Sequence, residues 1–434
     1  MQGAAVDTLA ARATKPVTAS QPLPRLEPTI RYLAFYQTLG DSADGARTWP
    51  AVSTGLLVLR LVDACLDGDR DAALGAPTVL AAARAIESTD PIRAHLIGLA
   101  EQLAGERAVT VELLAPGILS YSRALDAAGF WLLAADAALC VAGHARGGSR
   151  WALAVDAYLR HGRLLRMAAR LDESRASYEH AGRIAREAGD LRGTLRAQLG
   201  VAALAADRGN VPQAERSVEA ALRRARAAAL DDVTAMALEQ RAHIAHLRRD
   251  HERAVRATYQ ALELMTDSTH RARQLLNMAA AFGMLGARAA AREAMLVVLA
   301  TSPDTNIRWT SLINLMELAS LDGADSVFEQ YRVELASEPL QPYQLAQFHL
   351  HVGQAYARAG RVDAADVALR AAVRVAEEYR FNRIRFAADE TREALVREQG
   401  TREIVASATI PESLTDVVDA LAAMQRRADL TARV

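Results

Sequence analysis

The stretch from His351 to Glu378 reads HVGQAYARAGRVDAADVALRAAVRVAEE, and the spacing of its small residues decides the fold. Gly353 lies three positions before Tyr356, Gly360 falls at a turn, and Ala365 and Ala372 sit seven apart on a second periodic segment. Two helices approach closely only where one presents a small residue to the other's bulk. A glycine between them accepts the left-handed backbone that ends the first helix. The frame recurs upstream. Ala279, Phe282, Gly286, Ala291 and Val298 repeat it in order, as do Ala242, Ala245, Ala254 and Ala261 with Arg249 at the turn. Ala202, Ala205, Gly209, Ala214 and Ala221 form another copy, and Gly162, Leu165, Ala169, Ser174 and Ala181 one more. A weaker copy runs through Ser122, Leu125, Gly129, Ala134 and Val141.

The first small residue of each second helix stands at 134, 174, 214, 254 and 291, then at 365. The intervals are 40, 40, 40, 37 and 74, and 74 is twice 37. A hidden pair is therefore expected to turn near Gly323, with Met316, Phe328 and Leu335 in the small positions and wider packing. One pair cannot bury its own apolar face, so pairs stack around a continuous core. No convincing strand pattern appears. The expected fold is an all-α solenoid of antiparallel helix pairs.

This small–aromatic–Gly–Ala–Ala frame resembles the tetratricopeptide repeat across roughly residues 109–380, most specifically over 346–379. The resemblance implies a right-handed superhelix of about seven helix pairs. Tyr158, Leu238, Leu275 and His349 replace the family's early tryptophan, the closing proline is missing, and a period of 37–40 exceeds the usual one. The longer period resembles the superhelices of maltose-activator-type and peptide-sensing bacterial regulators.

Around this array, residues 1–28 carry Pro16, Pro22, Pro24 and Pro28 and few large apolar groups, which predicts a disordered tail. Residues 29–108 read as about four helices, either diverged repeats or an N-terminal cap. Residues 381–434 read as C-terminal capping helices, the first beginning near Glu377. In 411–428, Pro411 opens a helix whose stripe is Leu414, Val417, Val418, Leu421 and Met424. That helix either docks on the last repeat or serves a homodimer or partner.

Composition narrows function. Net charge is −1, so no global field attracts nucleic acid or an acidic membrane. No helix-turn-helix or basic recognition helix appears, and direct DNA contact is not expected. All basic residues but Lys15 are arginine, which removes Schiff-base and phosphate-loop lysines from the repeats. Cys65 and Cys140 are too few for a disulfide framework or a cysteine-based zinc site. The N-terminus is a poor signal peptide, with Asp7 and Arg12 in place of an apolar run. No apolar run is long enough to span a bilayer. A bacterial, cytoplasmic protein is expected.

Catalytic motifs fail in turn. Glu239, His243 and His246 share one helical face, with His251 beyond the turn, but no metal-ligand motif surrounds them. HARGGSR at 144–150 lacks the lysine and strand of a phosphate loop. The expectation is no enzyme, no metal and no cofactor.

In tetratricopeptide superhelices the first helices line the concave groove. Projected here, that frame turns inward Arg160, Arg163, Arg166, Gln240, His243, His246, Asn277, His351, Gln354 and Arg358. Arginine, amide and imidazole donors suit a peptide carboxylate or acidic segment. The expected function is a scaffold or adaptor that holds a protein or peptide. The alternative is a ligand-sensing regulator acting through a partner, and a metal-dependent enzyme is more remote.

Overall fold

A computed structural model describes residues 31–41, 49–69, 71–105, 109–145, 150–379, 381–397 and 408–431. The tail expected over 1–28 lies outside these residues, as do 146–149 of HARGGSR. The described residues form α-helices with short 3-10 turns and no strand. None of these helices is long and apolar enough to cross a membrane.

The chain divides at Ile184 and Ala185 into two compact units. The first opens with α1 (Leu33–Asp41), α2 (Trp49–Leu66), α3 (Ala76–Ala85) and α4 (Arg93–Ala104). Pairs follow: α5 (Val111–Ala127) with α6 (Trp131–His144), and α7 (Trp151–Met167) with α8 (Leu171–Glu187), within which the division falls. The core of this unit is built on fully buried Leu96, Leu99, Leu114, Ile118 and Tyr121.

The second unit continues the pairing. Its helices are α9 (Leu191–Asp207), α10 (Val211–Ala227), α11 (Asp231–Leu247), α12 (His251–Leu264), α13 (Ser268–Met284) and α14 (Arg288–Thr301). Then come α15 (Thr305–Leu321), α16 (Asp325–Ala336), α17 (Pro342–Arg358), α18 (Val362–Glu378), α19 (Asn382–Arg397) and α20 (Thr415–Thr431). The hidden pair is α15 and α16, and Gly323 turns between them with φ +72°.

Each helix follows from its residues. In α10 the buried set is Ala214, Val218, Ala221, Leu222 and Ala225, one face at helical spacing. The Asn210 side chain accepts a hydrogen bond from the Gln213 amide, capping an orphan N–H. Pairs close through one recurring bond that reaches back five residues. Asp250 N donates to Ala245 O at 2.9 Å, Ala324 N to Ala319 O at 2.9 Å and Arg361 N to Tyr356 O at 2.9 Å. Where the turn residue is not glycine the backbone is left-handed all the same, at Ala169, Ala229 and Arg249. The small residue of the frame is a steric requirement: a Cβ on Gly353 would stand 2.5 Å from Leu369 Cγ.

Two expectations about the C-terminus are corrected. The capping helix starts at Asn382 and not near Glu377, because α18 runs to Glu378 and Phe381 N closes back onto Ala376 O at 2.7 Å. The stripe of α20 meets α12–α14, far upstream of the last pair. Leu414, Val417 and Leu421 are fully buried in the cluster of Leu262, Met278, Ala291 and Val298, with Val418 and Met424 packed at its edge. Ala408 N donates to Gly286 O at 3.0 Å, and Ser413 Oγ bonds Glu252 at 2.7 Å. The stripe is thus consumed within the chain. Pro411 precedes a short 3-10 turn, Glu412–Leu414, from which α20 continues.

Candidate functional site

The first helix of every pair from α5 to α17 is 17 residues long. Equivalent positions can therefore be read straight across. These first helices touch one another within each unit, α5 with α7 in the first, and α9 with α11, α13 with α15 and α15 with α17 in the second. A layer that skips the intervening helix is the closer-packed side of a stack, the side on which a groove forms.

In the first unit, Arg160 and Arg163 of α7 converge on α5. Arg160 Nε donates to Ser122 Oγ at 2.8 Å, and Arg163 Nη1 lies 2.6 Å from Asp126 Oδ2, with Arg160 Nη2 at 3.5 Å from the same oxygen. Burial draws the Arg160 guanidinium down to about 10, a shift opposed by Asp126. Arg166 is half-buried beyond them. Sequence reasoning missed Asp126, the carboxylate that already holds two of the three arginines.

In the second unit, the tenth residue of α11, α13, α15 and α17 is Gln240, Asn277, Asn314 and His351 in turn. The thirteenth is His243, Ala280, Glu317 and Gln354. Gln240, Asn314 and Gln354 are half-buried and make no side-chain bond to other described residues, while His243 and Asn277 are exposed. Asn277 Nδ2 reaches Gln274 Oε1 at 3.4 Å. His246 stacks edge-on against His251 at 5.4 Å. Gly283 and Ala280 leave the α13 portion open, since a Cβ on Gly283 would meet nothing within 4 Å.

A carboxylate was missed here too. Glu317 Oε1 lies 3.4 Å from His351 Nδ1, and Arg358 Nη2 bonds Ser320 Oγ at 3.1 Å. Burial raises the Glu317 carboxyl, yet His351 and Arg358 outweigh it and hold it below the usual range. Asn314 and Glu317 were legible in principle, because adding the 37-residue period to Asn277 lands on Asn314.

Glu239 is an exception to its own row. The ninth position of the other second-unit first helices is Leu199, Leu276, Ile313 and Leu350, all apolar. Burial alone pushes its carboxyl up to about 7. Glu239, His243 and His246 share a face of α11 but do not converge into a metal-holding group. Among the described residues, the one such group is Asp63, Cys140 and His144. A wider depression of about 340 Å³ opens beside Arg241, Arg253 and Arg256. Its arginines are matched within the chain, Arg241 to Glu219 at 2.5 Å and Arg253 to Glu215 at 2.8 Å.

The described residues are all-α, with consecutive antiparallel helices packed in pairs. No family model and no curated protein matches its sequence. Solved structures align with its fold at low identity. The apo form of RapI aligns with 86% of this chain and 99% of its own at 14% identity and a TM-score of 0.42. A Rap protein complexed with competence and sporulation factor aligns with 80% and 98% at 10% identity and a TM-score of 0.44. BtubC (BKLC) from P. vanneervenii covers 51% of this chain and 86% of its own, at 16% identity and a TM-score of 0.33.

Proposed function

We propose that this protein is a non-enzymatic interaction protein, and that the first-helix row of α11, α13, α15 and α17 holds an extended peptide segment of a partner. The observation that carries this reading is the ladder Gln240, Asn277, Asn314 and His351, one hydrogen-bonding side chain at the same helical position on four successive first helices. Of these first helices, α13, α15 and α17 pack on one another in turn, and packed helices stand about 8–10 Å apart. An extended chain advances about 3.3 Å per residue, so every third peptide unit meets a rung. Amides donate and accept at once, which matches a peptide backbone better than an anion.

A carboxylate ligand is the weaker form of this reading. An incoming acid at Arg160 and Arg163 competes with Asp126, and one at His351 and Arg358 meets Glu317. The half-buried amides that bond no other described residue are where new bonds cost least, since they replace water and not an internal contact.

The experiment is selection of a displayed random-peptide library on the full chain, followed by binding of the enriched peptides to Gln240→Ala/Asn277→Ala/Asn314→Ala. Enriched peptides should bind the variant on the order of 10-fold or more weakly, given about 0.5–1.5 kcal/mol for each neutral bond lost. Enriched peptides whose affinity the triple variant leaves unchanged would remove the ladder from the site.

A further inference from the structure

Cys140 and His144 stand one turn apart on α6, so their side chains leave the same face. Asp63 of α2 meets that face. His144 Nε2 lies 2.8 Å from Asp63 Oδ1, and Cys140 Sγ lies 3.5 Å from the same oxygen. One donor atom from each residue falls within 4.8 Å of the other two. The three border a cavity of about 20 Å³ that Tyr32 and Asp136 help to wall. That is room for one small occupant, for which about 10–15 Å³ suffices.

Thiol, imidazole and carboxylate are the donor set of zinc, bound at about 2.0–2.3 Å in a tetrahedron. Such bonds place neighbouring donor atoms roughly 3.3–3.6 Å apart. The sulfur–oxygen separation already fits, and the imidazole–carboxylate pair needs to open by only about half an ångström.

The outer groups complete the pattern. Arg31 Nη1 takes Asp63 Oδ2 at 3.0 Å, leaving Oδ1 to face the cavity. His144 Nδ1 is 3.7 Å from Asp67 Oδ1, so a carboxylate backs the ring on the side away from the cavity. Outer carboxylates of this kind fix the tautomer and direction of a ligating histidine. Tyr32 reaches the wall from a left-handed backbone, φ +59°, an unfavourable conformation for a residue with a side chain.

We propose that Asp63, Cys140 and His144 form a site for one divalent cation of zinc type, with water in the fourth position. The sulfur–metal bond forms as the Cys140 thiol proton leaves to solvent, and no electrons are exchanged. Thiolate and carboxylate then oppose the cation with two negative charges, which suits a site buried between two helices. The site ties α2 to α6 and is independent of the peptide row in the other unit.

The test uses the full chain, stripped with a chelator and titrated with Co²⁺, a zinc surrogate whose bond to a thiolate gives a near-ultraviolet charge-transfer band. The band should saturate at a single equivalent and be displaced by Zn²⁺. It should persist in Cys65→Ser and vanish in Cys140→Ser. A wild-type chain that gives no band overturns the proposal, as does a band that survives Cys140→Ser or disappears with Cys65→Ser. Where Cys140→Ser loses the wild-type circular dichroism, His144→Gln keeps the thiol and carries the same decision. It should weaken Co²⁺ binding on the order of 100-fold, and unchanged affinity in that variant overturns the site.

Discussion

The pairs α7–α8 and α9–α10 repeat every 40 residues, whereas α11–α12 and α13–α14 repeat every 37. In both kinds the first helix has 17 residues and three residues join neighbouring helices. The difference lies wholly in the second helix, 17 residues in α8 and α10 but 14 in α12 and α14. Local chemistry explains the cut. After α12 and α14 the chain turns extended at Met265 and Ser302, and Asp267 and Asp304 then cap the next helix. Pro303 further discourages the residue before it from staying helical. The lesson is a division of labour. The first-helix row keeps its length, and so its register, while the second-helix row varies. Where that row is short, α20 lies against α14 and Leu414 seals onto the cluster shared with α12.

The strongest way to break this comparison is to remove the side chain that fills the short row. Leu421→Ala should cost about 3 kcal/mol, within the 2–5 kcal/mol seen for buried leucines. Chemical denaturation measures it, and amide exchange should quicken first in α14. Val367→Ala on the exposed face of α18 should stay within about 0.5 kcal/mol of wild type.

The next test separates close approach from open groove. Gly353→Ala should cost about 1–3 kcal/mol, because its Cβ meets Leu369. Gly283→Ala, on the open part of α13, should instead raise stability by up to about 1 kcal/mol. Equal effects at the two sites would deny the difference.

Asp126→Asn should cost about 1–2 kcal/mol, since it leaves the half-buried Arg160 without its counter-charge. Urea unfolding of wild type and variant gives the value. It also frees the arginines, so an acidic peptide that ignores the wild-type chain should gain affinity for the variant.

The smallest effect is a pH slope. Glu239 keeps its proton to about 7 in the folded chain, against an ordinary 4.5. Between these values the folded state binds more protons, so this stability is complete below the ordinary value and is lost as pH rises through 7. Tm should fall from pH 5 to 8 more steeply in wild type than in Glu239→Gln. Asp136, also raised to about 7 by burial, is present in both and cancels in the difference.

Much of the fold was legible because it is periodic. The 74-residue gap disclosed α15 and α16 even though Met316, Phe328 and Leu335 hide the small-residue signature. The stripe of α20 was legible as well, but the surface that receives it was not, for Leu421 meets α14 across more than a hundred residues of sequence. The candidate site was half legible. Helical projection placed Gln240, Asn277 and His351 in one row, yet Asp126 and Glu317 meet Arg163 and His351 only through the packing of neighbouring first helices. Cys140 and His144 were readable as one face of one helix. Only the fold brings Asp63 to them, from 77 residues upstream of the cysteine.

Hydrogen exchange on the full chain, with and without the tightest selected peptide, locates the bound segment. Protection should be confined to α11, α13, α15 and α17 and be lost in Gln240→Ala/Asn277→Ala/Asn314→Ala. Protection on α12, α14 or α20 with those first helices unchanged would contradict it.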